Sequence, residues 1–309
     1  MRYGMPYMGS KNDIAKYLID ILPAGERFVD LFGGGAAMTH AACLSNKWKK
    51  VYYNELNPLV VDLFKRSISG EFSKTKPEWI SREKFKERRD KDGMIAYVWS
   101  FGNKGKTYLY SKEIEPWKEA LHYARVFHDR SKLLAFGIDS DGSREDIKRN
   151  KERYKERYIV WYCRNVLKSS LDVLELQILL ESLERLQSLE RLQSLERLQS
   201  LQRLEINRGS YTDYKYRSGD VVYCDPPYEG TEQYDADGFD SKAFYDWVAS
   251  RPYRVFFSSY DISDTRFVKI WERVRNARLN GITPRVEKLY CNHPFKVIEN
   301  DQYCFDFWG

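Results

Sequence analysis

Short apolar runs alternate with amphipathic stretches at both ends of the chain. Phe28-Val29-Asp30-Leu31, Val51-Tyr52-Tyr53, Val221-Val222-Tyr223-Cys224 and Val255-Phe256-Phe257 are β-branched or aromatic and end in Gly, Asn, Pro or Ser, the signature of buried strands. Asn12 to Leu22 carries Ile14, Leu18, Ile19 and Leu22 at helical spacing, with Ser10 or Asn12 available as a cap and Pro23 and Gly25 as a stop. Small residues running to Leu44 predict a second helix, and Ser241 to Ser250 (Phe244, Trp247, Val248) another. Strands around 286–290 and 302–307 complete the pattern, which is that of an α/β sheet.

The middle of the chain reads differently. Ile68 to Asp92, Lys112 to Asp129 and Lys148 to Leu167 are charged and helical in pattern, the last opening on the basic run KRNKERYKER. Between Leu180 and Leu204 the unit SLERLQ recurs, with leucine at every third position. In an α-helix each step of three falls about 60° short of a full turn, so the leucines circle the helix instead of forming a face. The stretch is expected to be either a helix packed on several sides or a leucine-rich-repeat-like coil that stacks its leucines inward, the helix being favoured, without catalytic content.

Three strand ends carry candidate chemistry. After the first strand comes Phe32-Gly33-Gly34-Gly35-Ala36, glycines where a strand feeds a helix, which let a ligand approach the backbone. After the second comes Asn54-Glu55-Leu56-Asn57-Pro58; an acid about twenty positions beyond such glycines commonly holds ribose hydroxyls. The dinucleotide fingerprint G-x-G-x-x-G is absent, so a nucleoside with a small appendage, such as S-adenosylmethionine, fits better. The Val221–Cys224 strand ends in Asp225-Pro226-Pro227-Tyr228. The prolines fix φ and remove N–H donors, leaving a carboxylate, carbonyls and an aromatic ring at a strand end. That set suits an amino group on an aromatic ring: two acceptors for its hydrogens and one surface for stacking. Read alone, the tetrapeptide is equally a strand running into a surface turn.

The motifs in order, YMGSK, FVDLFGGGAAMTH, NELNP and DPPY, resemble the adenine-specific (N6) DNA methyltransferases of the Dam or D12 class. The resemblance implies a Rossmann-like, S-adenosylmethionine-dependent methyltransferase sheet of α/β class. It implies a catalytic domain over 1–66 and 208–309 and an inserted, mainly helical DNA-recognition domain over 67–207. It makes Tyr7, Gly9, Lys11, Asp30, Phe32, Gly33, Gly34, Gly35, Glu55 and Asp225 cofactor contacts. It makes Asp225, Pro226, Pro227 and Tyr228 the receptor of a flipped adenine in double-stranded DNA. Ala36 departs from the pattern, standing where the family has a second loop glycine, so that Gly33 to Gly35 must supply the freedom. Within the insertion, Asn103-Lys104-Gly105-Lys106 is a basic turn flanked by aromatics, and the family's similar loop meets DNA; Asn103, Lys104, Lys106, Tyr108 and Tyr110 are the expected contacts. As a surface hairpin the same residues would need no ligand.

Composition adds few constraints. Net charge is +6 and aromatics reach 15%, with 23 tyrosines, compatible with a polyanion and stacked bases. The five scattered cysteines form no C-x-x-C pair, which argues against a zinc site or a disulfide framework. No apolar run approaches membrane length, and the N-terminal residues lack a signal-peptide core. The expectation is a monomeric cytoplasmic enzyme of bacterial or phage origin, with no metal. RNA adenine, a glutamine amide, or DNA binding without catalysis are the alternatives. After Tyr228, residues 229–239 read as a lid with Tyr234 and Phe239 as its aromatics.

Overall fold

The computed structural model describes residues 2–166, 187–200, 203–229, 238–275 and 285–295. It divides into two compact units, Met1–Met5 with Gly9–Lys65 and Arg197–Gly309, and Pro6–Met8 with Arg66–Glu196.

The first unit is built on a seven-stranded sheet. Its strands are β1 (Gly25–Asp30), β2 (Trp48–Glu55), β3 (Leu204–Arg208), β4 (Asp220–Cys224), β5 (Val255–Ser259), β6 (Val268–Arg275) and β7 (Arg285–Cys291), in the order β3-β2-β1-β4-β5-β7-β6. Strands β1 to β5 pair in parallel, and β7 runs antiparallel to β5 and β6. This is a Rossmann-like sheet, and its strand order reverses between β1 and β4, where such sheets open a crevice at the strand C-termini. The central strands β1, β4 and β5 are buried: Val29, Val222 and Phe257 pack on one side with Phe244 and Val248 of the helix Ser241–Ala249. On the other side Phe28 meets Trp48 (4.9 Å) and Tyr223 (6.2 Å).

Several elements differ from expectation. Helix α1 spans Ala15–Ile21 and has no side-chain cap; the Asn12 amide oxygen instead accepts the Tyr3 N–H at 2.6 Å, and the Lys11 carbonyl starts the turn by accepting from Ile14 and Ala15. Strand β3 begins at Leu204, inside the stretch assigned to the insertion, because residues 204–208 pair with Val51 to Glu55. Strand β6 is the least legible: a register shift between Lys269 and Trp271 interrupts its apolar–polar alternation. The strand expected at 302–307 and Tyr234 of the lid lie outside the described residues. Phe239 is described, and its ring meets Phe32 at 5.9 Å.

The leucine repeat resolves into two helical forms. Gln187–Ser194 is α-helical and Leu195–Ser200 is a 3₁₀-helix. A 3₁₀-helix has three residues per turn, so a leucine at every third position does make one face there. Leu195 and Leu198 are accordingly buried, as is Leu192. The first part of the repeat, 180–186, lies outside the described residues.

The second unit is mainly helical. Glu115–His122 and Lys151–Asn165 are its longer helices, and their Trp117, Leu121, Tyr154 and Tyr158 share a core with Phe136 and Ile147. The basic run is split at Asn150 between the helices Arg144–Arg149 and Lys151–Asn165 rather than forming one helix; its Tyr154 faces inward while its cations are largely exposed.

One ion pair fastens β1 to β4 at their N-terminal ends. Arg27 and Asp220 are register partners, and the guanidinium donates to both carboxylate oxygens (Nε–Oδ1 2.9 Å, Nη2–Oδ2 2.8 Å) with both residues nearly excluded from water. Burial alone would push the Asp220 carboxyl up, but hydrogen bonds from Arg27 and Tyr214 outweigh it and hold the group below its ordinary range. Removing one partner strands a buried charge. Arg27→Ala is expected to cost about 3–5 kcal/mol in urea unfolding, and Arg27→Leu combined with Asp220→Leu to recover most of the loss.

Candidate active site at the strand ends

The glycine turn after β1 is held from several directions. Gly33 N–H donates to the Asn54 carbonyl (2.8 Å), Gly34 N–H to Glu55 Oε2 (2.9 Å), and the Tyr53 hydroxyl to the Gly34 carbonyl (2.9 Å). A Cβ on Gly33 would lie 2.1 Å from the Tyr53 ring, so close packing requires glycine there. Ala36 itself takes the left-handed conformation (φ 59°, ψ 27°) at the start of helix α2, Ala37–Ser45. The three glycines thus do not absorb the whole departure from the family pattern: Ala36 adopts the glycine-like backbone, at a cost of about 1 kcal/mol.

Glu55, at the end of β2, accepts from Gly34 on one oxygen and from Asn57 N–H (2.8 Å) on the other. Burial pushes its carboxyl up, opposed by the N–H groups of Asn57, Gly34 and Leu56. Each oxygen receives one N–H and retains acceptor capacity for a hydroxyl. Leu56 beside it is 67% exposed, an apolar side chain in water that the sequence reading passed over. Phe32 packs on Tyr211 (5.2 Å) and Phe244 (5.6 Å).

Asp30 ends β1 and is buried, accepting the Thr39 hydroxyl at 2.8 Å. Burial drives its pKa up to about 7; the Thr39 hydrogen bond opposes this, and the Asp225 and Glu55 charges add to it. The carboxylates of three strand ends thus share one field.

Beyond β4, Asp225 is about one-fifth exposed and Pro226 is buried. The Lys11 ammonium lies 2.7 Å from Asp225 Oδ1 and 4.7 Å from the centre of the Tyr228 ring. The Tyr228 hydroxyl donates to the same Oδ1 at 3.0 Å, and its ring meets Tyr260 edge-on at 4.7 Å. Burial raises the Asp225 pKa, Lys11 lowers it, and Glu287 raises it further. Glu287, on β7, is wholly buried; its carboxylate accepts from the Tyr228 hydroxyl and lies 3.3 Å from Lys11. No motif marks it. The available signal was a single acid followed on the same face of its strand by the apolar Leu289 and Cys291.

Gly9 (φ 73°), Lys11, Asp30, Phe32 to Gly35, Glu55 and Asp225 to Tyr228 all belong to the first unit. Tyr7 belongs to the second, its ring 5.2 Å from Tyr97. The second unit also carries the basic turn. Phe101–Asn103 is a single 3₁₀ turn, Phe101 N–H and Leu109 N–H donate to the Thr107 and Trp99 carbonyls (both 2.9 Å), and Lys104 and Lys106 are exposed. Asn103 takes φ 57° and donates to the Tyr97 carbonyl at 2.6 Å. Tyr108 is buried with its hydroxyl on the Ile80 carbonyl (2.7 Å), and Tyr110 stacks on Trp79. In this conformation the two tyrosines support the turn from within.

A carboxylate followed by donor-free prolines at the switch point of a Rossmann-like sheet offers acceptors for hydrogen-bond donors and no N–H for a phosphate. Comparison gives the class. Residues 7–248 match the model for the D12 class N6 adenine-specific DNA methyltransferases, and the chain belongs to that family. It is an enzyme of the methyltransferase type, directed at adenine in DNA, and such enzymes generally draw the methyl group from S-adenosylmethionine. Comparison with curated proteins finds no match.

Because folded Asp30 holds its proton far more tightly than the unfolded chain does, its ionisation opposes folding as pH rises from the ordinary value of 3.8 through about 7. Asp30→Asn is expected to gain stability relative to the parent across that window and to keep the gain above it, as read from urea midpoints at a series of pH values.

Proposed function

We propose that the protein transfers a methyl group from S-adenosylmethionine to N6 of an adenine flipped out of double-stranded DNA. The observation that carries this reading is the Asp225-Pro226-Pro227-Tyr228 strand end lying in one unit with the glycine turn and Glu55, each at the C-terminal edge of its strand. N6 is paired inside the duplex, so the base must leave the stack to be reached.

The residues present fit the methyl donor. Glu55 keeps acceptor capacity for ribose hydroxyls, Leu56 offers apolar cover for a ring, and Gly33 to Gly35 admit a ligand close to the backbone. When bound, the donor supplies an electrophilic methyl on a sulfonium. Asp225 Oδ2 and the Pro226 carbonyl accept the two N6 hydrogens, which localises the nitrogen lone pair and stabilises the positive charge that grows as it attacks. Attack would leave the thioether of the donor as leaving group and the nitrogen cationic, and one N6 proton would then pass to solvent. Tyr228 offers its ring to the base. No general base is required for the attack itself, since the proton leaves afterwards.

On the DNA side Lys104 and Lys106 are the exposed members of the expected set, with Asn103, Tyr108 and Tyr110 shaping the turn that presents them. A monomer acting on duplex DNA in a cytoplasm is the proposed setting.

The test is transfer of labelled methyl from S-adenosylmethionine to unmethylated duplex DNA, parent beside Asp225→Ala. Label on N6 of adenine that disappears in the variant is the expected result. Label on RNA or protein but not on DNA would reassign the substrate, and absence of cofactor binding would sink the enzymatic reading. If both lysines contact phosphates, Lys104→Ala with Lys106→Ala is expected to flatten the log–log salt dependence of DNA binding by about 1.8.

A further inference from the structure

Glu287 stands outside every motif of the site, yet it is the most deeply buried of the acids that reach Asp-Pro-Pro-Tyr. It comes from β7, whose antiparallel pairing with β5 and β6 places it in register opposite Arg273 on β6. Its carboxylate, however, is turned to the catalytic tetrad. Lys11 Nζ lies 2.7 Å from Asp225 Oδ1 and 3.3 Å from Glu287 Oε1. The Tyr228 hydroxyl lies within reach of both carboxylates, its one hydrogen shared between Asp225 Oδ1 and Glu287 Oε1. Two carboxylates are therefore joined by the same ammonium and the same hydroxyl, and the four groups close a ring of polar contacts.

We infer that Glu287 is a positioning residue for the methyl-acceptor site, holding Lys11 and the Tyr228 hydroxyl so that Asp225 and the tyrosine ring meet the flipped base in one fixed attitude. The inference rests on the function proposed above. Its physical basis is the sharing of partners. Without Glu287, Lys11 and the Tyr228 hydroxyl would lean further toward Asp225, competing with the substrate amine for the same carboxylate. With it, each partner divides its attraction, and Asp225 retains acceptor capacity. A buried carboxylate that served only packing would be replaceable by an apolar group of similar volume, often with a gain in stability. One that positions its neighbours would not be replaceable without loss of rate, because a small misplacement of reacting groups is costly.

The arrangement also sets the charge around Asp225. The groups facing it are Lys11 and Tyr228 in direct contact, with Glu287, Tyr223, Cys224 and Asp30 within electrostatic range. Of these Glu287 favours protonation of Asp225 and Lys11 opposes it. Neutralising Glu287 lets Asp225 stay ionised to lower pH.

The experiment compares the parent with Glu287→Gln and Glu287→Asp in the full chain, measuring kcat, KM for duplex DNA, S-adenosylmethionine affinity, thermal midpoint and the pH profile of kcat/KM. Glu287→Gln keeps an oxygen for the Tyr228 hydroxyl and loses the charge. It is expected to lower kcat by about tenfold or more, with cofactor affinity and KM within about threefold of the parent. The acid limb of its profile is expected to move to lower pH. Glu287→Asp keeps the charge at a shorter reach, and is expected to leave the acid limb in place with an intermediate kcat. Parental kcat with an unmoved acid limb in Glu287→Gln would overturn the proposal. So would a fall in kcat matched by equal losses of cofactor affinity and thermal midpoint, the limb unmoved. Should Glu287→Gln fail to fold, Glu287→Asp decides: parental kcat overturns the proposal, and reduced kcat at parental cofactor affinity supports it. A parent that transfers no methyl to DNA overturns the functional reading instead, and is seen before any variant is compared.

Discussion

The ammonium of Lys11 between Asp225 and Glu287 is the contact on which the geometry of the site depends. Two carboxylates buried side by side repel, and each pays desolvation; a cation shared between them makes the pair tolerable. Lys11 is delivered by the turn just ahead of α1, Asp225 by the end of β4 and Glu287 by β7. Elements from the beginning, middle and far end of the first unit are thus drawn to one point by charge, while the apolar layers of the sheet set the distances. Sheet packing and site electrostatics are consequently a single problem in this protein. The same holds at the other end of the strands, where Arg27 and Asp220 fix β1 against β4.

How much was legible in the sequence follows from what each signal depends on. The buried strands at 28–31, 51–53, 221–224 and 255–258 were readable because central parallel strands are apolar on both faces and need no partner to be recognised. The glycine turn, Glu55 and Asp225 could be placed at strand ends because each directly follows an apolar run that stops at Gly, Asn or Pro. The α1 cap was misjudged because two polar residues competed for it and the chain used a backbone carbonyl instead. Strand β6 was missed because a bulge breaks its period, and most of β3 was assigned to the insertion because its strand character comes from pairing with β2 rather than from its own residues. The leucine repeat misled for a related reason: its period of three has no face in an α-helix but a perfect one in the 3₁₀ segment.

In the site, the sequence located residues that act through local context and passed over Glu287, whose partners lie far away along the chain. Tyr108 shows the opposite error. Its place beside a basic turn suggested a surface aromatic, whereas burial and a hydroxyl on the Ile80 carbonyl make it a support. An aromatic next to lysines reads the same in sequence whether it points out or in.

The pairing of β1 with β4 has a consequence for synthesis. Arg27 and Asp220 are 193 residues apart, and β1 offers one edge to β2 at once but the other only to a strand made much later. At roughly 5–20 residues per second, translation leaves that edge unpaired for about 10–40 s. During this interval an apolar parallel edge with its backbone donors and acceptors unsatisfied stands exposed on the ribosome. The helical unit is completed meanwhile, whereas the enzyme's sheet must wait for β4. The unpaired edge of β1 is the kind of surface that invites wrong pairing, and it persists for most of the time the chain takes to be made.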